Sequence, residues 1–332
     1  LAIPSAVAIA AVGLAGAAFV FLGTQAALDL AVREIIARSE GRLAIEGAEG
    51  SLLSTVRVRR ITWTGPETQL EAHDLALDWS PLALFERRVH VRGLGARTVV
   101  VAVKGSDTAT APPTALVLPF PLAIDRVAVG RLDWVLGPRS GHVRGLAFGY
   151  SASPSEHRIR DLAFVFDRGT LSANVTLGAT APLALAGELA FAGDANLAGF
   201  DAKATLGGTL AEVTVDASGR ARGADLRARA TLTPFARSAI ASATVDLAEA
   251  NLAAIDAQWP ATAIDAHVTL TPMGRGFAGT LEATNRVAGA IDAGGLPLAS
   301  LSANYAIDEE ALALDGIVAA LPGGGTARGR AS

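Results

Sequence analysis

The stretch DLALDW, residues 74–79, poses the structural question that decides the fold of this chain. In an extended strand its apolar side chains lie on one face and its acidic side chains on the other: Leu75, Leu77 and Trp79 against Asp74 and Asp78. A sheet with one apolar face needs a second layer, or a bound molecule, to cover that face. The sequence therefore raises the question of what covers Leu75, Leu77 and Trp79.

The same alternation recurs along the chain after residue 40, as is typical of half-buried strands. Turn signals such as Gly65–Pro66, Gly137–Pro138 and Ser218–Gly219 separate the segments, often at intervals of about a dozen residues, as in consecutive antiparallel hairpins. The apolar positions that we predict to line one face are Val56, Val58, Leu75, Leu77, Trp79, Val89, Val91, Val99, Val101, Val213, Val215, Leu226, Leu232, Ile264, Val268 and Leu270.

Little helix is available to cover such a face. Short helical turns are predicted only at residues 81–88 and 248–255, beside roughly twenty short strands. Two sheets could pack face to face, a barrel could enclose the face, or a long curved sheet could line an open groove with it. The open groove would be a larger apolar patch than soluble monomers tolerate, unless it holds something apolar.

The N-terminal segment is the most apolar part of the chain, because no charged residue precedes Asp29. Residues 1–23 are long enough to cross a bilayer as a helix and are longer than a usual signal-peptide core. Helical spacing of apolar residues continues to about residue 39, so we predict one anchor helix, with a cleaved signal as the alternative. The anchor residues are Leu1, Ile3, Val7, Ile9, Val12, Leu14, Phe19, Val20, Phe21 and Leu22.

Composition and motifs argue against several functions. The net charge is −4 and no basic cluster is interleaved with aromatic residues, so no nucleic-acid partner is expected. The chain has no cysteine, which excludes disulfides and thiolate metal sites. The five histidines lack the local spacing of a zinc site, and no nucleotide-binding or serine-hydrolase motif occurs. We therefore predict no enzymatic activity, no catalytic or metal site, and no cofactor.

Five segments behind the apolar N-terminus resemble a known family in their order and spacing. The first is GRLAIEGAEGSLLSTVRVRRITW at residues 41–63, and the others are residues 70–101, 118–136, 232–272 and 289–331. They resemble the N-terminal part of the TamB family, the inner-membrane subunits of translocation and assembly modules. That family belongs to the wider AsmA-like, bridge-type lipid-transfer group.

The resemblance implies a location, a fold and partners. It implies an N-terminal helix in the inner membrane of a Gram-negative envelope and a periplasmic, U-shaped β-sheet, or β-taco, with an apolar interior. It also implies an outer-membrane barrel partner, TamA, and a link both to outer-membrane protein assembly and to phospholipid movement between the membranes. The C-terminal domain through which the family contacts TamA has no counterpart in these residues, so we expect a fragment that continues at both ends.

The sequence thus predicts a mainly β fold: an N-terminal transmembrane α-helix followed by a long, curved antiparallel β-sheet with an apolar interior. The predicted divisions are an anchor helix with its extension at 1–39, a first groove segment at 40–104, a Pro-rich loop or break at 105–121, and further groove repeats at 122–332. We expect phospholipid acyl chains to cover the apolar face. The alternative is a scaffold for outer-membrane proteins that binds a client strand at a sheet edge by β-augmentation.

Overall fold

The computed structural model describes residues 22–104, 111–194, 199–274, 276–291, 294–308 and 311–331. The described residues are mainly β, as the sequence predicts. They form two compact units. Unit 1 contains the described residues up to 104 together with residues 117–167, and unit 2 contains residues 111–116 together with the described residues from 168 onward.

A helix, α1 (Gln25–Arg38), opens unit 1. It begins at Thr24, whose backbone is extended and whose hydroxyl oxygen accepts a hydrogen bond from the Ala27 N–H at 3.3 Å. The sequence predicts a single helix running from the N-terminus to residue 39. Its predicted end agrees with the C-cap at Ser39, and the described helix begins after the extended cap at Thr24.

The predicted membrane anchor falls almost entirely on residues 1–21, which lie outside the described residues; only Leu22 of the anchor set is described. Among the described residues, no helix combines the length and the apolarity that a membrane span needs.

Unit 1 contains seven strands, each paired with the next in sequence. A 3-10 turn at Pro81–Glu86 joins the third strand to the fourth, where the sequence predicts a short helical turn. The strands are β1 (Leu43–Gly50), β2 (Thr55–Thr64), β3 (Thr68–Trp79), β4 (Val89–Val103), β5 (Leu122–Leu136), β6 (Arg139–Ala152) and β7 (Glu156–Phe166).

One pair in unit 1 departs from the predicted antiparallel arrangement. β4 and β5 are parallel, with a register that runs from Val89↔Leu122 to Val103↔Leu136. A parallel pair requires a long crossover, because the chain must return to the level at which the previous strand began. The Pro-rich segment makes this crossover. It therefore connects two strands that are adjacent in one sheet, as a loop rather than as a break.

Unit 2 contains eleven strands, each antiparallel to the next. A short helix, α2 (Leu252–Ile255), lies where the sequence predicts a helical turn. The strands are β8 (Gly169–Gly178), β9 (Leu185–Gly193), β10 (Asp201–Gly208), β11 (Val213–Ala221), β12 (Ala224–Leu232), β13 (Ile240–Ala250), β14 (Ile264–Met273), β15 (Gly276–Asn285), β16 (Ser300–Ile307), β17 (Leu312–Ala320) and β18 (Thr326–Ala331).

The predicted turn at Ser218–Gly219 is wrong, because both residues lie inside β11. A Cβ atom at Gly219 would lie 2.9 Å from the Asp201 carbonyl oxygen on the neighbouring strand. The glycine therefore permits a close approach between strands. The hairpin turns at Arg222 and Gly223, which both have positive φ, at 48° and 88°.

Candidate functional site: an apolar face on each unit

Unit 2 presents a continuous apolar face. Residues that lie directly opposite each other in antiparallel strands share a face of the sheet. The register joins five such positions across β10 to β14: Leu206, Val215, Ala230, Ala243 and Leu270. All five side chains are half-buried, whereas most of the polar residues that alternate with them are exposed. The face is therefore apolar over at least five neighbouring strands.

The predicted positions in unit 2 all lie on this face. Val213 is opposite Leu232, and Val213 is only 6% exposed. Leu226 is opposite Leu247. Val268 lies between Val245 and Leu281, and Ile264 shares the face through the alternation of β14. Further apolar positions that sequence reasoning missed extend the face in both directions: Leu171, Ala173, Leu189, Phe191, Leu281, Leu301 and Ala303.

The opposite face of unit 2 carries paired charges. Arg229 donates to Asp216 at 2.6 Å, and Arg220 donates to Asp225 at 2.7 Å. The Arg220 hydrogen bond holds the pKa of the Asp225 carboxyl below its usual range. These residues are exposed, so the pairs contribute little to stability but keep this face compatible with water. The sheet of unit 2 therefore has one wettable face and one apolar face.

The DLALDW stretch lies in β3 of unit 1, and its apolar residues have apolar neighbours on both sides. Leu77 is opposite Val56 on β2 and Leu94 on β4, and Leu75 is opposite Val58. Nearer the start of β4, Val91 is opposite Trp79, while Val89 pairs with Leu122 of β5. The structure thus brings together the predicted positions Val56, Val58, Leu75, Leu77, Trp79, Val89 and Val91 in one half of unit 1.

Val99 and Val101 lie in the other half of the same sheet. Val99 is opposite Ala72, and Val101 is opposite Leu70 and Trp134. The predicted lining positions leave out most of the apolar residues in this half, although groove or sheet-end packing is the prediction for both tryptophans: Ile61, Trp63, Leu70, Ala72, Leu132 and Trp134. The reason is that, within one strand, the apolar positions change from even to odd residue numbers, or from odd to even. In β2, for example, Val56 and Val58 are even-numbered, whereas Ile61 and Trp63 are odd-numbered.

A backbone interruption between the two halves brings the odd-numbered and even-numbered apolar residues onto one face of the sheet. Asp74 of β3 has a left-handed φ of 50°, Gly47 of β1 has φ 64° and Gly145 of β6 has φ 62°. A left-handed residue breaks the two-residue alternation of a strand and re-aims the side chains beyond it. Leu70 and Ala72 before Asp74 therefore share a face with Leu75 and Leu77 after it.

The acidic residues of β3 also change from odd to even residue numbers at the interruption. Before the interruption, Glu71 pairs with Arg60 and His73, each at 2.8 Å, and after it Asp78 pairs with Arg92 at 2.6 Å. The hydrogen bond from Arg92 holds the pKa of the Asp78 carboxyl below its usual range. A sequence signal for the interruption does exist, namely two adjacent polar residues within an alternating strand, as at His73 and Asp74.

Protein covers these apolar faces only in part. Among the described residues, thirteen apolar residues are buried, and most of them are Ala or Val. Most of the apolar face positions named above remain half-buried. A second packed layer would bury large side chains such as Leu206 and Leu270. The faces are therefore available to an apolar partner.

Comparison with known proteins gives one match. Residues 14–137 match the family model described as the N-terminal domain of TamB. The match includes α1 and strands β1 to β5 of unit 1, and it confirms the predicted resemblance over those residues. No curated protein and no solved structure gives a significant match to the chain.

Proposed function

We propose that this chain, which carries a TamB-type N-terminal domain over residues 14–137, is an inner-membrane-anchored bridge that conducts phospholipid towards the outer membrane. The observation that carries the proposal is the continuous apolar face of unit 2, where large side chains such as Val215 and Leu270 are half-buried. Moving an acyl chain through water costs about 0.8 kcal/mol for each exposed CH₂ group. Contact with a continuous apolar face would remove most of that cost along the path.

The polar faces support the same proposal. A conduit that runs through the periplasm also needs a face that water wets, and the Arg229–Asp216 and Arg92–Asp78 pairs provide such groups opposite the apolar face. Acyl chains are recognised by apolar contact alone, so the conduit needs neither a cofactor nor a catalytic group. By resemblance to the TamB family, the apolar segment at residues 1–23 would hold the chain in the inner membrane. By the same resemblance, the outer-membrane barrel TamA would be the partner at the other membrane.

Photo-crosslinking at two adjacent residues of β11 tests the proposal. Val215 lies on the apolar face and Asp216 on the polar face of the same strand. We would place benzoylphenylalanine at each position in turn in the full chain, irradiate it in native membranes, and identify adducts by mass spectrometry. The proposal expects phospholipid adducts at Val215 and far fewer at Asp216. Equal labelling of the two positions, or adducts to protein alone at Val215, would contradict it.

Charged residues on the face should block lipid passage. Aspartate at Leu77, Val101 and Val215 would place desolvated charge in the proposed path. We expect lipid transfer between donor and acceptor vesicles to be lost while the far-ultraviolet circular dichroism spectrum keeps its β signature. Arg57→Asp and Thr214→Asp, on the opposite face, are the matched controls and should transfer normally. Unimpaired transfer by the apolar-face variant would exclude this path.

A further inference from the structure

The 3-10 turn between β3 and β4 forms an exposed apolar tip. Phe85 is 88% exposed, Leu82 is 61% exposed and Leu84 is 50% exposed, while Ala83 is buried beneath them. Leu82 and Phe85 are three residues apart, which places them on the same side of a 3-10 helix. Phe120, two residues before β5 begins, is also 54% exposed at this end of unit 1. So large an exposed apolar cluster calls for a partner.

The tip has a fixed backbone and basic residues beside it. Arg87 adopts the left-handed conformation and its N–H closes the turn onto the carbonyl oxygens of Ala83 and Leu84. Arg88 follows and donates to Glu86 at 2.7 Å. Apolar side chains that protrude from a rigid turn, with arginines directly behind them, suit the boundary between acyl chains and phosphate groups in a bilayer.

The tip lies at the end of unit 1 where the described chain begins. The side-chain amide of Gln25 donates to the Ala48 carbonyl at 2.9 Å and accepts from the Gly50 N–H at 3.0 Å, which fixes the start of α1 beside the end of β1. The register then leads from Gly50 to Val56 and from Val56 to Leu77, four residues before the turn. Neighbouring strands are about 4.8 Å apart, so Gly50, which Gln25 contacts, and Leu77 are separated laterally by roughly 10 Å.

The position of the tip identifies a lipid bilayer as the partner that covers its apolar side chains. The segment that precedes Leu22 contains no charged residue, and it joins the described structure at the same end of the sheet as Phe85. A bilayer that holds this segment would lie close to the tip, and its phosphates would be within reach of Arg87 and of Arg88, which also pairs with Glu86.

We infer that Leu82, Leu84 and Phe85 insert into the interfacial region of the membrane, while Arg87 and Arg88 contact anionic phospholipid headgroups. The tip is a second membrane contact beside the N-terminal segment, and it fixes which end of unit 1 faces the bilayer. The inference rests on the proposed membrane anchor but needs no lipid on the apolar face of the sheet, so it can be tested separately from the proposed transport.

Site-specific fluorescence in the full chain tests the tip. The chain contains no cysteine, so a single introduced cysteine can carry an environment-sensitive nitrobenzoxadiazole probe. We would compare Phe85→Cys with Leu136→Cys, because Leu136 is 50% exposed at the opposite end of the same sheet. Both labelled proteins are reconstituted in vesicles of phosphatidylethanolamine and phosphatidylglycerol whose acyl chains are brominated or unmodified.

Quenching by brominated chains at residue 85, with none at residue 136, is the expected result. Replacing Arg87 and Arg88 by Glu should reduce the quenching at residue 85, more so in vesicles that contain phosphatidylglycerol than in vesicles of phosphatidylcholine alone. No quenching at residue 85 would overturn the inference, and so would equal quenching at both positions, which would mean that the sheet lies flat on the bilayer. A third probe at Val215 reports lipid on the apolar face, so failure of transport and failure of the tip give different results.

Discussion

The long strands of unit 1 and the short strands β11 and β12 of unit 2 keep an apolar face by different means. In unit 2, β11 and β12 alternate from end to end, so the sequence pattern alone aligns Val215 with Ala230. In unit 1, β4 and β5 are 15 residues long, and neighbouring strands contain left-handed residues such as Asp74. Long strands accumulate twist, and a local interruption bends the strand and resets its alternation. A long strand thus depends on its backbone, as well as its sequence, to hold one apolar face.

The largest expected effect comes from a charge on the apolar face, which tests whether both units bury this face. Val213→Asp in unit 2 and Val56→Asp in unit 1 replace side chains that are 6% and 9% exposed. Each should lower the free energy of unfolding of its unit by about 3 kcal/mol or more, because a buried carboxylate loses its hydration. Denaturant titration followed by hydrogen exchange would resolve the two units.

Matched changes on the polar face provide the control. Thr214→Asp and Arg57→Asp alter the residues next to Val213 and Val56, and each should change stability by about 0.5 kcal/mol or less. If a control variant lowers the free energy of unfolding as much as the apolar-face variant of the same unit, the assignment of faces in that unit is wrong.

The next effect distinguishes the two kinds of strand. Asp74→Val places a β-branched residue at φ 50° and should destabilise unit 1 by about 1–2 kcal/mol. Thr214→Val, in the regular strand β11, should leave the free energy of unfolding unchanged or raise it slightly, since Val favours an extended backbone. Asp74→Asn removes the ion pair with Arg97 yet tolerates the left-handed conformation, so it separates backbone strain from lost charge. Equal stability of Asp74→Val and Asp74→Asn would contradict the role of the backbone.

The same contrast explains how far the sequence could predict the structure. Alternation is a local signal, so it located β11, β12 and β14 and the apolar positions Val215, Leu226 and Leu270 on them. It failed at Ile61 and Trp63, because a strict two-residue period assigns them to the face opposite Val56. The parallel pairing of β4 and β5 also escaped prediction, since it depends on where the crossover returns the chain rather than on the pattern of either strand.

A smaller effect concerns the edge of unit 1. The Gln25 side chain hydrogen-bonds to both Ala48 and Gly50 of β1. Gln25→Ala should cost about 1 kcal/mol per hydrogen bond lost and should speed amide exchange at Gly50. Gln25→Glu can still accept from the Gly50 N–H and should leave that amide protected. Unchanged exchange at Gly50 in Gln25→Ala would show that α1 seals the edge without this side chain.

The smallest effect is expected from acid, and it should be alike in the two units. Arg92 and Arg286 hold the pKa values of Asp78 and Asp265 below the usual range through hydrogen bonds. A depressed pKa in the folded state means that the unfolded chain binds the proton first, at a pKa of about 3.9. The contribution of each pair is therefore complete above about pH 5 and is lost as the pH falls through the folded-state pKa.

Hydrogen exchange at pH 7, 5 and 3 measures this loss in each unit separately. Asp265→Asn should remove part of the acid sensitivity of unit 2 and leave unit 1 unchanged, while Asp78→Asn should do the reverse. Because all four side chains of these pairs are exposed at the surface, salt should weaken both effects to a similar degree. A loss of stability between pH 7 and pH 5 that disappears in Asp265→Asn would mean that this carboxyl titrates above its usual range, and that its environment is more buried than the polar face of unit 2 allows.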